Sequence, residues 1–295
     1  YKKGALLIIA GAGTGKTAVI TQRIVHIINS KWAKPDEILA LTFTEKAADE
    51  MLQRVDESMP IGYGDVWIST FHSFCDRILK QEGYNIGLDT DYILMSAAQS
   101  YVFLRKHLFD LSLKKFRPYG NPTKFINDLL DHFSRLQDED VSPSEYLEYA
   151  KSLSRKDSVE KEEYEDTLEL ATVYDEYTKL KIKNSMLDFG DLILLTIKLF
   201  REKPNVLKRY QEKFKYILVD EFQDTNYSQS VLVNILSGLD PKKDMDKVGK
   251  INPNLTVVGD DDQAIYKFRG AAISNILQFK QYYPKAKKIV LTENY

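Results

Sequence analysis

Leu6-Leu7-Ile8-Ile9-Ala10-Gly11-Ala12-Gly13-Thr14-Gly15-Lys16-Thr17 is the stretch on which the fold turns. Its first five residues are apolar throughout, the pattern of a short strand covered on both faces. The glycines that follow permit backbone angles and close approaches that larger residues forbid, so successive amides can point at phosphate oxygens. After Lys16, Val19, Ile20, Ile24, Ile27 and Ile28 recur at helical spacing, which predicts a helix whose N-terminus adds its positive dipole at the same place. Strand, glycine loop and helix together are the setting of a phosphate-binding loop. Lys16 is expected to neutralise the β and γ phosphates of ATP, and Thr17 to offer its hydroxyl to Mg²⁺. Ala10 stands where the pattern ordinarily begins with glycine. A glycine-rich turn without a ligand is the plainer alternative.

Working outward, apolar strand-like runs recur at Ile38 to Thr42, Val66 to Thr70, Tyr216 to Val219, Leu255 to Val258 and Lys288 to Leu291. Alternation of such runs with helical segments predicts an α/β fold, a parallel sheet flanked by helices with ligands at the carboxyl ends of its strands. Between about Glu82 and Ser185 the alternation stops and long charged stretches with helical spacing take over, which reads as a helical insertion. The mixed-charge stretch Pro241 to Lys250 reads as a surface loop.

Tyr216 to Val219 runs straight into Asp220 and Glu221. Carboxylates at the tip of a buried strand are costly unless compensated. A Mg²⁺ held through Asp220 offsets that cost, and Glu221 beside it is placed to polarise the water that attacks the γ phosphate. Capping of a helix beginning near Tyr227 is the competing reading.

Bulk properties bound the rest. A chain of 295 residues exceeds what one core usually serves, so one large domain with an insertion, or two domains, is expected. No apolar run reaches the roughly 18 residues of a membrane span. Cys75 is the only cysteine, which excludes an intrachain disulfide and suits a reducing cytoplasm, and four scattered histidines make a Cys/His zinc site implausible. A net charge of −2 decides nothing about nucleic acid, because a protein can gather basic residues in one groove while the rest of its surface stays acidic. The chain opens at Tyr1 and reads directly into a strand, so further residues are expected upstream.

In order and wording, the motifs resemble those of the UvrD/Rep-type superfamily 1 DNA helicases, PcrA included. They are Ala10 to Thr17, LTFTEKAADEM (Leu41 to Met51), STFHSFC (Ser69 to Cys75), DFGDL (Asp188 to Leu192), VDEFQDTN (Val219 to Asn226), VVGDDDQAIYKFRGA (Val257 to Ala271) and LTENY (Leu291 to Tyr295). The resemblance implies a RecA-like P-loop domain 1A made of residues 1–82 and 186–295, with an inserted, mostly helical subdomain 1B at 83–185. It implies ATP and Mg²⁺ as cofactors, and single-stranded DNA and single/double-strand junctions as partners, with 3′ to 5′ movement, repair or replication proteins as possible partners, and no membrane.

Residue by residue, the resemblance makes Gln263 the sensor of the γ phosphate and Gln223 part of the same coupling network. Tyr295 is similar to the residue that stacks on adenine, and Arg269 links the DNA and nucleotide sites, with a surface salt bridge as the alternative. Phe43, Thr70, His72, Tyr266 and Phe268 match the lining of the single-strand channel, where aromatic faces grip any base. Core packing competes for Phe43 and Phe268 and is the better reading for Phe71 and Phe74; His72 reads equally as a structural histidine. Arg105, Lys106, Lys114, Lys115, Arg117 and Lys124 either meet phosphate backbone or form a solvated helix face.

Three departures stand out. Ala18 occupies a place where the family often has arginine, the adenine-reading glutamine motif is absent upstream, and the chain ends at Tyr295, before the expected arginine and second RecA-like domain. The piece alone is therefore expected to bind nucleotide weakly and hydrolyse it poorly, because charge stabilisation comes from the far side of the cleft. A helicase subunit of a RecB- or AddA-like helicase-nuclease, and a nucleotide-dependent DNA-binding module that never unwinds, are the rival readings.

Overall fold

The computed structural model describes residues 1–11, 15–60, 62–154, 160–260 and 272–291, with 272–274 as backbone only. Of the residues singled out above, Ala12, Gly13, Thr14, Gln263, Tyr266, Phe268, Arg269 and Tyr295 lie outside the described residues. The chain divides into two compact units, Tyr1–Arg77 with Ile197–Tyr295, and Ile78–Thr196.

The first unit is built on six parallel strands among the described residues: β1 (Leu6–Ala10), β2 (Ile38–Thr42), β3 (Trp67–Thr70), then, later in the chain, β6 (Tyr216–Val219), β7 (Leu255–Gly259) and β8 (Lys287–Leu291). Their order across the sheet is β3-β2-β6-β7-β1-β8. Every residue of β1, β2, β6 and β7 is buried, which is why these strands read as unbroken apolar runs rather than alternating ones. The edge strand β8 is largely exposed.

Helix α1 (Lys16–Asn29) buries Ile20, Ile24 and Ile27 against Leu6, Ile8 and Ile38 and against Met51 and Val55 of α2 (Glu45–Ser58). Each such side chain contributes about 1.5–3 kcal/mol relative to exposure. Phe71 and Phe74 of α3 (Phe71–Glu82) are core residues at 1% exposure. Because all six strands run the same way, the loops leaving β1, β2, β3, β6 and β7 gather at one edge of the sheet.

The second unit is helical. It contains α4 (Ala97–Lys106), α5 (Ile126–Asp138), α6 (Pro143–Leu153) and α7 (Lys161–Lys183), with a two-residue parallel pair, β4 (Ile93–Leu94) and β5 (Met186–Leu187). Its core is aromatic: Phe133 stacks on Tyr174 and Tyr177 at centroid distances of 5.1 and 5.6 Å. Ser96 with Gln99, and Ser142 with Glu145, form reciprocal caps that start α4 and α6. Of the basic residues considered for phosphate, Lys115 is engaged by Glu162 and Asp166 at 2.8 and 2.5 Å, and Arg117 donates to the carbonyls of Leu108 and Leu111.

The DFGDL segment opens α8 (Phe189–Glu202), and its acids turn inward. The Asp188 amide donates to Asp191 Oδ2 at 2.9 Å and the Asp191 amide to Asp188 Oδ1 at 3.0 Å, so the two acids cap the helix reciprocally. Gln137 Nε2 donates to both carboxylates at 3.0 Å. The fully buried Lys181 ammonium pairs with Asp188 and lies 2.6 Å from Asp191. Burial and then the neighbouring Asp188 push Asp191 up to about 6, with Lys181 opposing. Gly190 is required here, because a Cβ at that position comes 2.2 Å from Gln137 Oε1.

Candidate nucleotide site

Gly15 ends the loop after β1 and serves as N-cap of α1 with φ 79° and ψ 35°, a left-handed conformation that suits glycine. Lys16 and Thr17 follow in the first turn, where the helix N-terminus faces the carboxyl edge of the sheet. Two strands away, with β7 between, β6 ends at Val219 and hands over to Asp220. The Asp220 amide donates to Leu41 O at 2.9 Å, continuing the ladder with β2 and fixing the acid at the strand tip.

The two elements meet. Thr17 Oγ1 donates to Asp220 Oδ2 at 3.0 Å, and Lys16 Nζ lies 2.9 Å from Glu221 Oε2 and 3.8 Å from Asp260 Oδ2. Burial, and then the Glu221 carboxylate, raise Asp220 above the ordinary carboxylate range, while the Thr17 hydroxyl, the Glu221 amide and Lys16 pull it back. Glu221 itself sits at φ 47° and ψ 46°. A non-glycine residue held in that region stores about 1–2 kcal/mol of strain, and here the turn swings the carboxylate towards Lys16 and away from the strand axis. The capping alternative for this pair fails, since Asn226 caps α9 (Tyr227–Leu236) together with Gln229.

Gln223 is buried and spans the tips of two strands. Its Nε2 donates to Glu221 Oε2 at 2.6 Å, and its Oε1 accepts the Asp260 amide at 3.1 Å just beyond β7. A Cβ at Gly259 comes 3.0 Å from that same Oε1, so the glycine leaves room for the bridge. Asn275 of α10 (Ala272–Tyr282) ties the same loop down by donating to Thr225 O at 2.6 Å.

The oxygen set formed by the Thr17 hydroxyl and the Asp220 carboxylate suits a hard cation such as Mg²⁺, which takes few protein ligands and completes its shell with water and phosphate. A buried carboxylate whose hydrogen-bond donors are a neutral hydroxyl and the Glu221 amide is also suited to a cation.

The loops leaving β2 and β3 form a second cluster, aligned by the register Thr42↔Thr70. Phe43 is 51% exposed, so the core-packing alternative does not hold for it. Thr70 is buried, its hydroxyl donating to Glu45 Oε1 at 2.8 Å while accepting the Ser73 amide at 3.1 Å as a helix cap. His72 is half-buried; burial lowers it below the ordinary histidine range, and Glu45 offsets this in part. Glu45 and Asp260 are the residues that sequence reading missed. The signal for Asp260 was the one used for Asp220, an acid directly after a buried strand; Glu45 stood one place beyond the Thr44 cap of α2.

Over residues 1–284 the chain matches the UvrD/REP helicase N-terminal domain. The chain belongs to the UvrD/REP helicase family. It is 41% identical over 294 residues to the ATP-dependent DNA helicase PcrA of Bacillus subtilis, covering 99% of this chain and 36% of that protein. Identity to the helicases named PcrA in Staphylococcus aureus and Staphylococcus epidermidis is 39% over 295 residues, again with 99% and 36% coverage. This UvrD/REP chain thus spans about a third of the length of the curated relatives it matches, and Lys16 and Asp220 both fall within the matched residues. Among the described residues of the domain no helix is long and apolar enough to cross a membrane.

Proposed function

We propose that the chain is the ATP-binding part of a DNA helicase or translocase that moves 3′ to 5′ on single-stranded DNA in repair or replication. The observation that carries this reading is the meeting of Lys16 and Thr17, from one strand-loop-helix unit, with Asp220 and Glu221 from another. Lys16 binds the β and γ phosphates; Thr17 and Asp220 hold Mg²⁺, which supplies charge neutralisation on the phosphates. Glu221 takes a proton from the attacking water, and Gln223 orients Glu221 while linking it to the β7 tip, where Gln263 follows in sequence. Phe43 and His72, with Tyr266 and Phe268, supply the grip on DNA, Thr70 shaping that loop through its cap and its bond to Glu45. Arg269 connects the grip to the nucleotide, and Tyr295 stacks on adenine. The domain limits 1–82, 83–185 and 186–295 and a cytoplasmic setting belong to the same proposal.

The test is the full-length protein, assayed for DNA-stimulated ATPase and for unwinding of a 3′-tailed duplex beside Glu221→Gln. Turnover and unwinding in the parent with loss of both in the variant support the motor; nucleotide and DNA binding without turnover in the parent favour the binding module. Nuclease activity in the same protein assigns it to the helicase-nuclease type.

A further inference from the structure

Trp67 opens β3, the strand at one edge of the sheet, and two cations rest on its ring. Arg77 Cζ lies 3.7 Å from the ring centroid and Lys213 Nζ 4.0 Å. Phe74 and Phe214 meet the same indole edge-on at 6.3 and 5.2 Å, so the ring is a fixed platform rather than a mobile surface group. Among the described residues neither Arg77 nor Lys213 forms an ion pair. Glu37, close by in sequence to Asp36, is taken by Lys215 at 2.6 Å. Burial, and then Arg77, hold Lys213 below the ordinary lysine range, with Asp36 acting the other way. Two like charges are therefore held against one indole ring, whose π system compensates them in part.

We propose that Arg77 and Lys213, set on Trp67, form a binding site for phosphate groups. A guanidinium fork matches phosphate oxygens in a bidentate manner, and an ammonium supplies a second point charge. Charge alone blunts an edge strand against unwanted pairing, but blunting does not need two cations converging on one ring. β3 is four residues long, so Trp67 stands about 10 Å along the strand from Thr70. α3 starts directly after Thr70 and brings Arg77 onto the Trp67 ring, on the flank of the unit that ends at Phe43 and His72. The phosphate has two sources, a nucleic-acid backbone or a free phosphate or nucleotide; the first rests on the proposed reading of this unit as DNA-binding.

The experiment uses a Trp32→Phe chain, in which Trp67 is the remaining tryptophan of the two. Its emission is followed during titration with inorganic pyrophosphate and with a thymidine oligonucleotide. Arg77→Gln/Lys213→Gln and the charge-conserving Arg77→Lys/Lys213→Arg are compared, and each fold is checked by circular dichroism. A saturable change is expected in the parent, lost in the neutral pair and kept in the charge-conserving one. For the oligonucleotide, the slope of log affinity against log salt becomes shallower by about 1.4 in the neutral pair, ~0.7 for each phosphate contact removed. A response to pyrophosphate but not to the oligonucleotide keeps the site, assigns it to free phosphates and counts against the DNA reading. No saturable response to either probe in the folded parent overturns the site. So does oligonucleotide binding whose salt slope and emission are the same in the neutral pair, an outcome that leaves the DNA reading standing.

Discussion

Thr17 and Asp220 are joined by a 3.0 Å hydrogen bond although 203 positions separate them in sequence and β7 lies between their strands. The bond fixes what Asp220 can do. A buried carboxylate whose one side-chain donor is a neutral hydroxyl is stable as the acid and uncomfortable as the anion.

The first prediction concerns that discomfort. Because the folded state raises Asp220, its contribution to stability is complete below the ordinary carboxylate value, about 3.9, and is lost as pH rises through the raised one. At pH 7 without Mg²⁺, Asp220→Asn is therefore expected to melt above the parent, with the gap closing as pH falls. Stabilisation by Mg²⁺ with a non-hydrolysable ATP analogue, about 2.7 kcal/mol at a hundredfold excess over Kd, should vanish in the variant. A variant melting below the parent at pH 7 contradicts the assignment.

Lys16 neutralises Glu221 at 2.9 Å. Lys16→Ala leaves Glu221, Asp220 and Asp260 facing one another and should cost about 1–3 kcal/mol of stability. Adding Glu221→Gln in that background should recover part of the loss, with a coupling of about 0.5–3 kcal/mol. Denaturant unfolding of the four chains measures it, and simple additivity would argue against the pair.

Glu221 occupies left-handed backbone. Glu221→Gly should therefore be more stable than Glu221→Ala by about 1 kcal/mol, while neither supports hydrolysis. Equal melting temperatures for the two would show that the turn relaxes once the carboxylate is gone.

In the helical unit, Lys181→Met removes the cation from the buried Asp191 and the half-buried Asp188 and should cost about 3–5 kcal/mol. Replacing Asp188 and Asp191 by Asn in the same chain should restore much of that, read by thermal melting. A double carboxylate variant that gains nothing would mean that the cluster contributes packing rather than charge balance.

The strands were legible because burial on both faces leaves an unbroken apolar run, as in Leu6 to Ala10 and Tyr216 to Val219, and because a loop at such a run's end can be read from its glycines. The β3 run was one residue shorter than it read, Val66 standing before the strand. What escaped was whatever depends on a partner far away in sequence. β4 and β5 are two residues each, too short to show a period. The bridge from Gln223 to the Asp260 amide, the inward turn of Asp188 and Asp191 onto Lys181, and the left-handed turn at Glu221 are three-dimensional facts with no local pattern. The DFGDL glycine was visible as a letter, but the Gln137 side chain that demands it lies 53 positions earlier.

The β4–β5 pair has an architectural consequence. Ile93↔Met186 and Leu94↔Leu187 lie side by side, and Ser185 Oγ donates to Asp89 Oδ2 at 2.5 Å, so the way in and the way out of the helical segment are clasped at its neck. Whatever lies between Leu94 and Met186 behaves as a cassette. A graft cut at this neck keeps both strand pairs, provided that the incoming helices bring a lysine and a glutamine to meet Asp188 and Asp191 as Lys181 and Gln137 do.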